Sequence, residues 1–326
     1  MSPARPKVLY LSYAPADLYA LIKEVAGDRF DVVTLDADDD EERCRLIADC
    51  EAVICAATRL TKRHLDAAQK LRLVHHQGVG RQDTTDWQEI KRRGLPFALT
   101  TAGTTLGVAE HTVLLMLAAA KRLSFADAEL RAGRWHVNAL RGVSRELFGK
   151  TIGYVGMGRI GQAVAERLKA FGCSGIYVDP AIRLPGDQER CLGLRSGTLD
   201  EVLASADVLT LHVPLTPATR GLIGRNEIAK LKPGAIIVNT ARGGLIDEDA
   251  LVEALRSGHV LAAGLDVFEK EPPPPEHPLL SLPNVVLTPH IAAGTRDAMR
   301  QKMQAIFDNI ERFFATGDLE NRVVFP

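Results

Sequence analysis

The amino-acid sequence predicts an α/β protein built on doubly wound parallel sheets, and three observations carry that reading. Short apolar runs such as Ala52–Cys55, Asp207–His212 and Ala235–Asn239 alternate with segments of helical period along most of the chain. That is the pattern of parallel strands joined by crossover helices. One run, Thr151–Val155, leads into G-x-G-x-x-G at Gly156, Gly158 and Gly161, and a helical pattern begins at Ile160. The chain has 326 residues, 46% apolar and 25% charged, enough for two soluble domains of ordinary size.

In chain order, Lys7–Tyr13 reads as a strand, Asp17–Ala26 as a helix and Phe30–Leu35 as a second strand. The acidic run Asp36–Glu42 reads as a solvated loop and helix start, because it lacks the ligand spacing of a calcium loop. Further strands are expected at Ala52–Cys55, Leu71–His76 and Pro96–Leu99. L-S-Y-A-P, not a glycine loop, follows the first strand, so this half has no nucleotide signature of its own. Gly78-Val79-Gly80 follows Leu71–His76; it is either a plain turn or a backbone site for an anion such as a carboxylate.

Thr104–Leu123 predicts a long helix with Thr104 or Thr105 as its cap. Ser124–Lys150 reads as an arm bearing Trp135, which either joins two copies of the chain or packs on its own subunit. After the glycine motif, strands are expected at Gly175–Val178, Asp207–His212, Ala235–Asn239, Leu261–Asp266 and Val285–Thr288. Arg225–Leu231 and Asp247–Ser257 read as helices, the second stopped by Gly258. Pro272–Pro275 must be extended loop, and Arg296–Phe314 closes the chain as an amphipathic helix.

The glycine motif carries chemistry. Strand, tight turn and helix N-terminus together form a pyrophosphate site, with free N–H groups and the positive end of the helix dipole facing the anion. Asp179 ends the following strand, at the spacing of about 20 residues from which a carboxylate grips the ribose hydroxyls of NAD and repels a 2′-phosphate. Three polar residues then follow three strands: Arg242 in N-T-A-R-G-G, Glu271 in D-V-F-E-K-E-P and His290 after Thr288-Pro289. Each alone reads as a solvated or satisfied loop residue. Together they supply a guanidinium fork for a carboxylate, an imidazole for proton transfer and a carboxylate to orient and charge the imidazole. Reduction of a 2-oxo acid beside a nicotinamide needs that set.

Other classes are disfavoured. The 40 basic and 41 acidic residues balance, which does not suggest a nucleic-acid partner. His75 and His76 sit side by side on a strand and point to opposite faces, so no shared metal is expected. The five cysteines are odd in number and form no C-x-x-C, as in a cytoplasmic protein with reduced thiols. The start of the chain shows no apolar signal core, and the run Val113–Ala120 is too short to span a membrane.

The motifs resemble those of the D-isomer-specific 2-hydroxyacid dehydrogenase family. The resemblance rests on G-V-G at Gly78–Gly80, V-A-E-H-T at Val108–Thr112 and G-M-G-R-I-G at Gly156–Gly161. It continues through H-V-P-L-T at His212–Thr216, N-T-A-R-G at Asn239–Gly243, D-V-F…E-P at Asp266–Pro272 and T-P-H-I-A at Thr288–Ala292. It implies Arg242 as substrate binder, His290 as proton donor and Glu271 as its partner. It implies that Val79 and Gly80 hold the substrate carboxylate. NAD contacts are implied for Arg159, Ile160, Asp179, Val213, Pro214, Thr240, Ala241, Asp266, Ala292 and Thr112, beside the motif glycines. It further implies a Rossmann NAD-binding domain, 104–294, inserted into a flavodoxin-like substrate domain made of 1–103 and 295–326, and a homodimer. Members acting on phosphoglycerate resemble the chain less around Ala56–Thr58, where an arginine is expected at Ala57; Arg59 and Arg81 are the nearby cations. A small unphosphorylated 2-oxo acid and its D-2-hydroxy acid are the expected substrates. A formate or phosphite dehydrogenase of the same family and an NAD-responsive corepressor-like binding protein are the rivals.

Overall fold

The structure, a computed structural model, describes residues 5–78 and 84–325. The chain divides into two compact units: one runs to Thr104 and resumes at Thr295, and the other is Thr105–Gly294.

In the first unit, strands β1 (Lys7–Tyr10), β2 (Asp31–Val33), β3 (Ala52–Cys55), β4 (Leu73–His76) and β5 (Phe97–Leu99) form a parallel sheet in the order β2-β1-β3-β4-β5. Side chains alternate between its faces. Val8, Tyr10, Ile54 and Leu73 pack against helix Ala16–Ala26 and against Met303, Ile306, Phe307 and Ile310 of the last helix, Arg296–Thr316. Leu9, Leu11, Val53 and Val74 face the other way, onto Ile47, Leu65 and Ile90. The first strand is shorter than the sequence reading. Leu11 still donates to Ile54 O at 3.0 Å, but Ser12 turns aside and accepts the Thr58 N–H at 3.1 Å. The acidic run is a helix start: Asp39 caps Asp40–Ile47 by accepting the Glu42 N–H at 2.9 Å, and Arg43 pairs with Asp38 and Asp40. Acidic side chains there suit the positive end of the helix dipole.

In the second unit, β6 (Thr151–Val155), β7 (Ser174–Val178), β8 (Leu194–Ser196), β9 (Val208–Leu211), β10 (Ala235–Asn239), β11 (Val260–Leu265) and β12 (Val285–Leu287) form a second parallel sheet. Its order is β12-β11-β10-β9-β6-β7-β8. Both sheets are doubly wound, as the sequence predicts. The strand order reverses between β1 and β3 and again between β6 and β9, where such sheets open a crevice at the carboxyl ends of the strands. The second apolar core covers both faces of its sheet, with helix Thr105–Lys121 on one of them. Strand β8 was not expected: Leu-Arg-Ser is too short and polar to announce itself, which an edge position permits. The arm after Lys121 forms two helices, Leu123–Arg131 and Val137–Val143, with Leu123, Leu130, Trp135 and Val137 exposed. Among the described residues no helix is long and apolar enough to cross a membrane.

A buried histidine gives the first unit an acid weakness. His75 is 1% exposed; its Nε2 accepts from Asn309 at 3.1 Å and its Nδ1 faces His76 O. Burial holds this imidazole down at about 4, against an ordinary 6.5. The unfolded chain therefore binds the extra proton first. Stability contributed by the neutral ring is intact above pH 6.5 and falls as the pH drops from 6.5 towards 4. His75→Gln keeps an acceptor for Asn309 without a titrating ring. Urea melts at several pH values across that window should show a shallower acid slope in the variant, and equal slopes would show that His75 does not carry this loss.

Candidate active site

At the reversal between β6 and β9, the glycines differ in what confines them. Gly156 has φ +98°, and a Cβ on it would lie 2.6 Å from His212 O after β9. A Cβ on Gly161 would lie 2.6 Å from Gly156 O. Gly158 meets nothing within 4 Å among the described residues, and it precedes helix Arg159–Lys169 with no side chain capping that end. The turn is thus closed towards the protein and open at Gly158, beside free N–H groups. Asp179 follows β7 and is fixed by backbone donors: Met157 N at 2.8 Å on one oxygen, Ala181 N and Ile182 N at 2.8 and 2.9 Å on the other.

Further along the same edge, three neighbouring strands deliver the three polar residues. Asn239, 1% exposed at the end of β10, donates to Arg242 O at 2.8 Å and accepts from Ala241 N at 3.0 Å, which sets the turn that carries Arg242. Gly243 touches the backbone of Phe268 and Glu269 so closely that any Cβ would overlap it. This close approach seats the loop after β11 beside Arg242. Glu271 on that loop accepts the Phe268 N–H at 3.1 Å and the His290 ring nitrogen Nδ1 at 2.7 Å. Glu248 secures the loop, accepting the Glu269 N–H at 2.7 Å and pairing with His277 Nε2 at 3.0 Å. Burial pushes the Glu248 carboxyl above its ordinary value, against the pull of that N–H and of His277.

His290 follows β12 with φ +54°, a left-handed conformation that costs a residue with a side chain about 1 kcal/mol or more. Its N–H donates to Asp266 O at 2.7 Å. Burial alone would push the Glu271 carboxyl up. The hydrogen bond to His290, the Phe268 N–H and the charges of His290 and Arg242 outweigh it and hold the carboxyl below its ordinary value. Glu271 is therefore anionic at neutral pH. A cavity of about 370 Å³ opens beside the pair, lined by Phe268, Pro272, Leu280 and Leu287 as well as Glu271 and His290.

Residues 113–292 match the family model described as "D-isomer specific 2-hydroxyacid dehydrogenase, NAD binding domain". The chain belongs to that family. It is 40% identical over 287 residues to a D-3-phosphoglycerate dehydrogenase of Archaeoglobus fulgidus, covering 88% of this chain and 54% of the relative. The chain thus spans about half the length of that relative. It is 44% identical over 272 residues to a hydroxypyruvate reductase of Thermotoga maritima, covering 82% of this chain and 86% of the relative. A solved structure from Thermus thermophilus superposes with a TM-score of 0.84 at 35% identity, covering 98% of this chain and 100% of that one.

The cofactor of the family is NAD, and the residues present fit it. The open position at Gly158 leaves room for a pyrophosphate against backbone N–H groups, and Asp179 holds its carboxylate beside the turn. Arg159 and Ile160 open the helix behind the turn, and Val213 and Pro214 follow β9. The other expected cofactor contacts are more deeply placed. Thr112 is 0% exposed, donates to Val108 O at 2.7 Å and meets the hydroxyl of Thr240, itself 8% exposed, at 2.8 Å. Asp266 is 0% exposed and accepts from Ile291 N and Ala292 N, both at 2.9 Å. Val79, Gly80 and Arg81 lie outside the described residues. The supporting residues Asn239, Glu248 and Thr288 were not singled out from the sequence. Among the described residues no group of three or more His, Cys, Asp or Glu could hold a metal ion.

The glycines separate folding from binding. Gly156→Ala forces a strained φ and a clash with His212 O, and should lower the melting temperature as well as weaken NADH binding. Gly158→Ala meets no atom of the described residues within 4 Å. It should leave the melting temperature nearly unchanged and weaken NADH binding about tenfold or more if the pyrophosphate lies in that space, as the glycine motif implies. Thermal melts with NADH titrations check both; full NADH affinity in Gly158→Ala would move the pyrophosphate elsewhere.

Proposed function

We propose that the chain is an NAD-dependent oxidoreductase that interconverts a small 2-oxo acid and its D-2-hydroxy acid. The observation that carries this reading is the 2.7 Å bond between His290 Nδ1 and Glu271, on the sheet edge that also bears Arg242 and the dinucleotide turn. The names of the relatives, a hydroxypyruvate reductase and a phosphoglycerate dehydrogenase, support the substrate class.

When bound, NADH supplies the hydride that reduces the carbonyl carbon. The side chains do the rest. Arg242 offers its guanidinium to the substrate carboxylate and orients the carbonyl. With Nδ1 engaged by Glu271, Nε2 of His290 is the ring atom that gives its proton to the carbonyl oxygen as the hydride arrives. In the reverse direction the neutral ring takes the hydroxyl proton. Glu271 fixes the orientation of the ring through its bond to Nδ1.

The chain also works as a homodimer in the cytosol in this reading. The exposed apolar arm residues Leu123, Leu130, Trp135 and Val137 support the dimer, and five free cysteines support a reducing compartment. Light scattering reads the dimer directly; a single-chain mass at micromolar concentration would remove it.

Steady-state assays of a 2-oxo acid panel with NADH test the activity, and no turnover of any member would reject it. Arg242→Gln should lose on the order of 2–4 kcal/mol of transition-state binding, as truncated charge pairs do. Analogues without the carboxylate should be poor substrates already for the wild type.

The dyad predicts pH behaviour. Glu271→Gln keeps the shape of the partner but removes the charge beside the ring, so kcat for reduction should fall while NADH affinity stays near wild type. The Glu271 carboxyl is held below its ordinary value. The stabilisation carried by the Glu271 carboxylate is therefore complete above about 4.5, the ordinary value, and is lost as the pH falls from there through the depressed one. An unchanged kcat in Glu271→Gln, with chemistry rate-limiting, would refute the dyad.

A further inference from the structure

The motif V-A-E-H-T ends in two adjacent residues, His111 and Thr112, in the middle of helix Thr105–Lys121. Both reach the carboxyl edge of the sheet, and each meets a different loop. Thr112 meets Thr240, two residues before Arg242. His111, 11% exposed, places Nε2 2.9 Å from Thr288 Oγ1 and 3.5 Å from Asp266 Oδ1. Thr288 Oγ1 lies 2.6 Å from Asp266 Oδ1 and donates to it. Because the hydroxyl proton is spent on the carboxylate, the Thr288 oxygen accepts from His111, which fixes the ring with its proton on Nε2.

Asp266 in turn accepts the N–H groups of Ile291 and Ala292 through its side chain, and that of His290 through its carbonyl. The bonds therefore run unbroken from His111 through Thr288 and Asp266 to the backbone of His290 and of the two residues after it. That backbone is the strained one, with φ +54° at His290. A left-handed turn of this kind persists only where its surroundings over-determine it, and these bonds supply the determination.

We propose that His111 is a positioning residue for His290: by donating to Thr288 it orients the hydroxyl towards Asp266, and Asp266 holds the turn that aims the His290 ring. His111 touches neither the dyad nor the dinucleotide turn in this arrangement. The proposal rests on the reading of His290 as the proton donor.

The test compares His111→Leu, which keeps bulk but has no N–H, with His111→Gln, whose amide places a donor near the position of Nε2. Removing the donor leaves the Thr288 oxygen without its partner and the hydroxyl free to turn from Asp266, so kcat for 2-oxo acid reduction should fall about 10- to 100-fold in His111→Leu. KM for the 2-oxo acid and NADH affinity by fluorescence titration should stay near wild type. His111→Gln should recover most of kcat. In the cofactor-free protein, the ¹H–¹³C signal of the His290 ring should broaden or shift in His111→Leu and return towards wild type in His111→Gln. Thr288→Val breaks the same chain at its middle and should lose kcat in parallel; it carries the test if His111→Leu does not fold. An unchanged kcat in His111→Leu or in Thr288→Val overturns the proposal, as does a His111→Gln enzyme as impaired as His111→Leu. His290→Ala, run alongside, separates the two ideas. If it abolishes reduction while His111→Leu is normal, only the positioning role falls. If it leaves reduction intact, the acid role falls and takes the positioning role with it.

Discussion

The buried carboxylate of Asp266 is the constraint on which the edge of the second sheet depends. A carboxylate with no exposed surface is destabilising by several kcal/mol unless donors surround it. Here the donors are the Thr288 hydroxyl and the N–H groups of Ile291 and Ala292. Satisfying the charge therefore dictates the path of the chain through residues 288–292. The Asp266 backbone extends the same frame, with its N–H on Asn239 O at 3.0 Å. Asn239 in turn shapes the Arg242 turn with its side-chain amide. One fixed set of buried polar groups thus sets both the imidazole and the guanidinium. Catalysis by positioned groups needs that rigidity, because small displacements of a reacting group cost large factors in rate.

What the sequence made legible follows from what parallel sheets require. Strands buried on both faces must be largely apolar, so β6, β9, β10 and β11 stand out as short apolar runs with few polar residues. Strand β8 pairs with β7 alone and needs no such run, which is why Leu-Arg-Ser passed unnoticed. The arm was ambiguous because its two short helices expose apolar residues that normally mark a core.

The site was legible in its members more than in its contacts. Arg242, Glu271 and His290 each follow a strand, and the strand ends of an open sheet are where ligands lie. That Glu271 meets His290 is not written in their spacing. It depends on Gly243 admitting the Phe268 backbone, on Glu248 tying down Glu269 and His277, and on the left-handed turn at His290. These are packing facts, and a motif names the residues without the approach distances. Asp266 shows the same limit. Its place in the motif suggested a cofactor contact, while its fully buried carboxylate binds the loop that carries His290.

Asp179 ties cofactor choice to the phosphate turn. A carboxylate after β7 discriminates against a 2′-phosphate by charge alone, and for that task it need touch nothing else. Here one oxygen accepts the N–H of Met157, between the first two motif glycines, and the other accepts Ala181 N and Ile182 N. Each carboxylate oxygen can accept two hydrogen bonds, so one acceptor site, on the oxygen that Met157 N–H meets, remains for a ribose hydroxyl with these donors in place. The consequence is a shared part: the group proposed to select the ribose also holds the Met157 N–H of the glycine turn. Exchanging Asp179 for a neutral residue removes the repulsion of a 2′-phosphate and releases the Met157 N–H at once. Selectivity in this fold is therefore more readily altered by adding a cation near the 2′ position than by deleting the acid, because only the addition leaves the glycine turn intact.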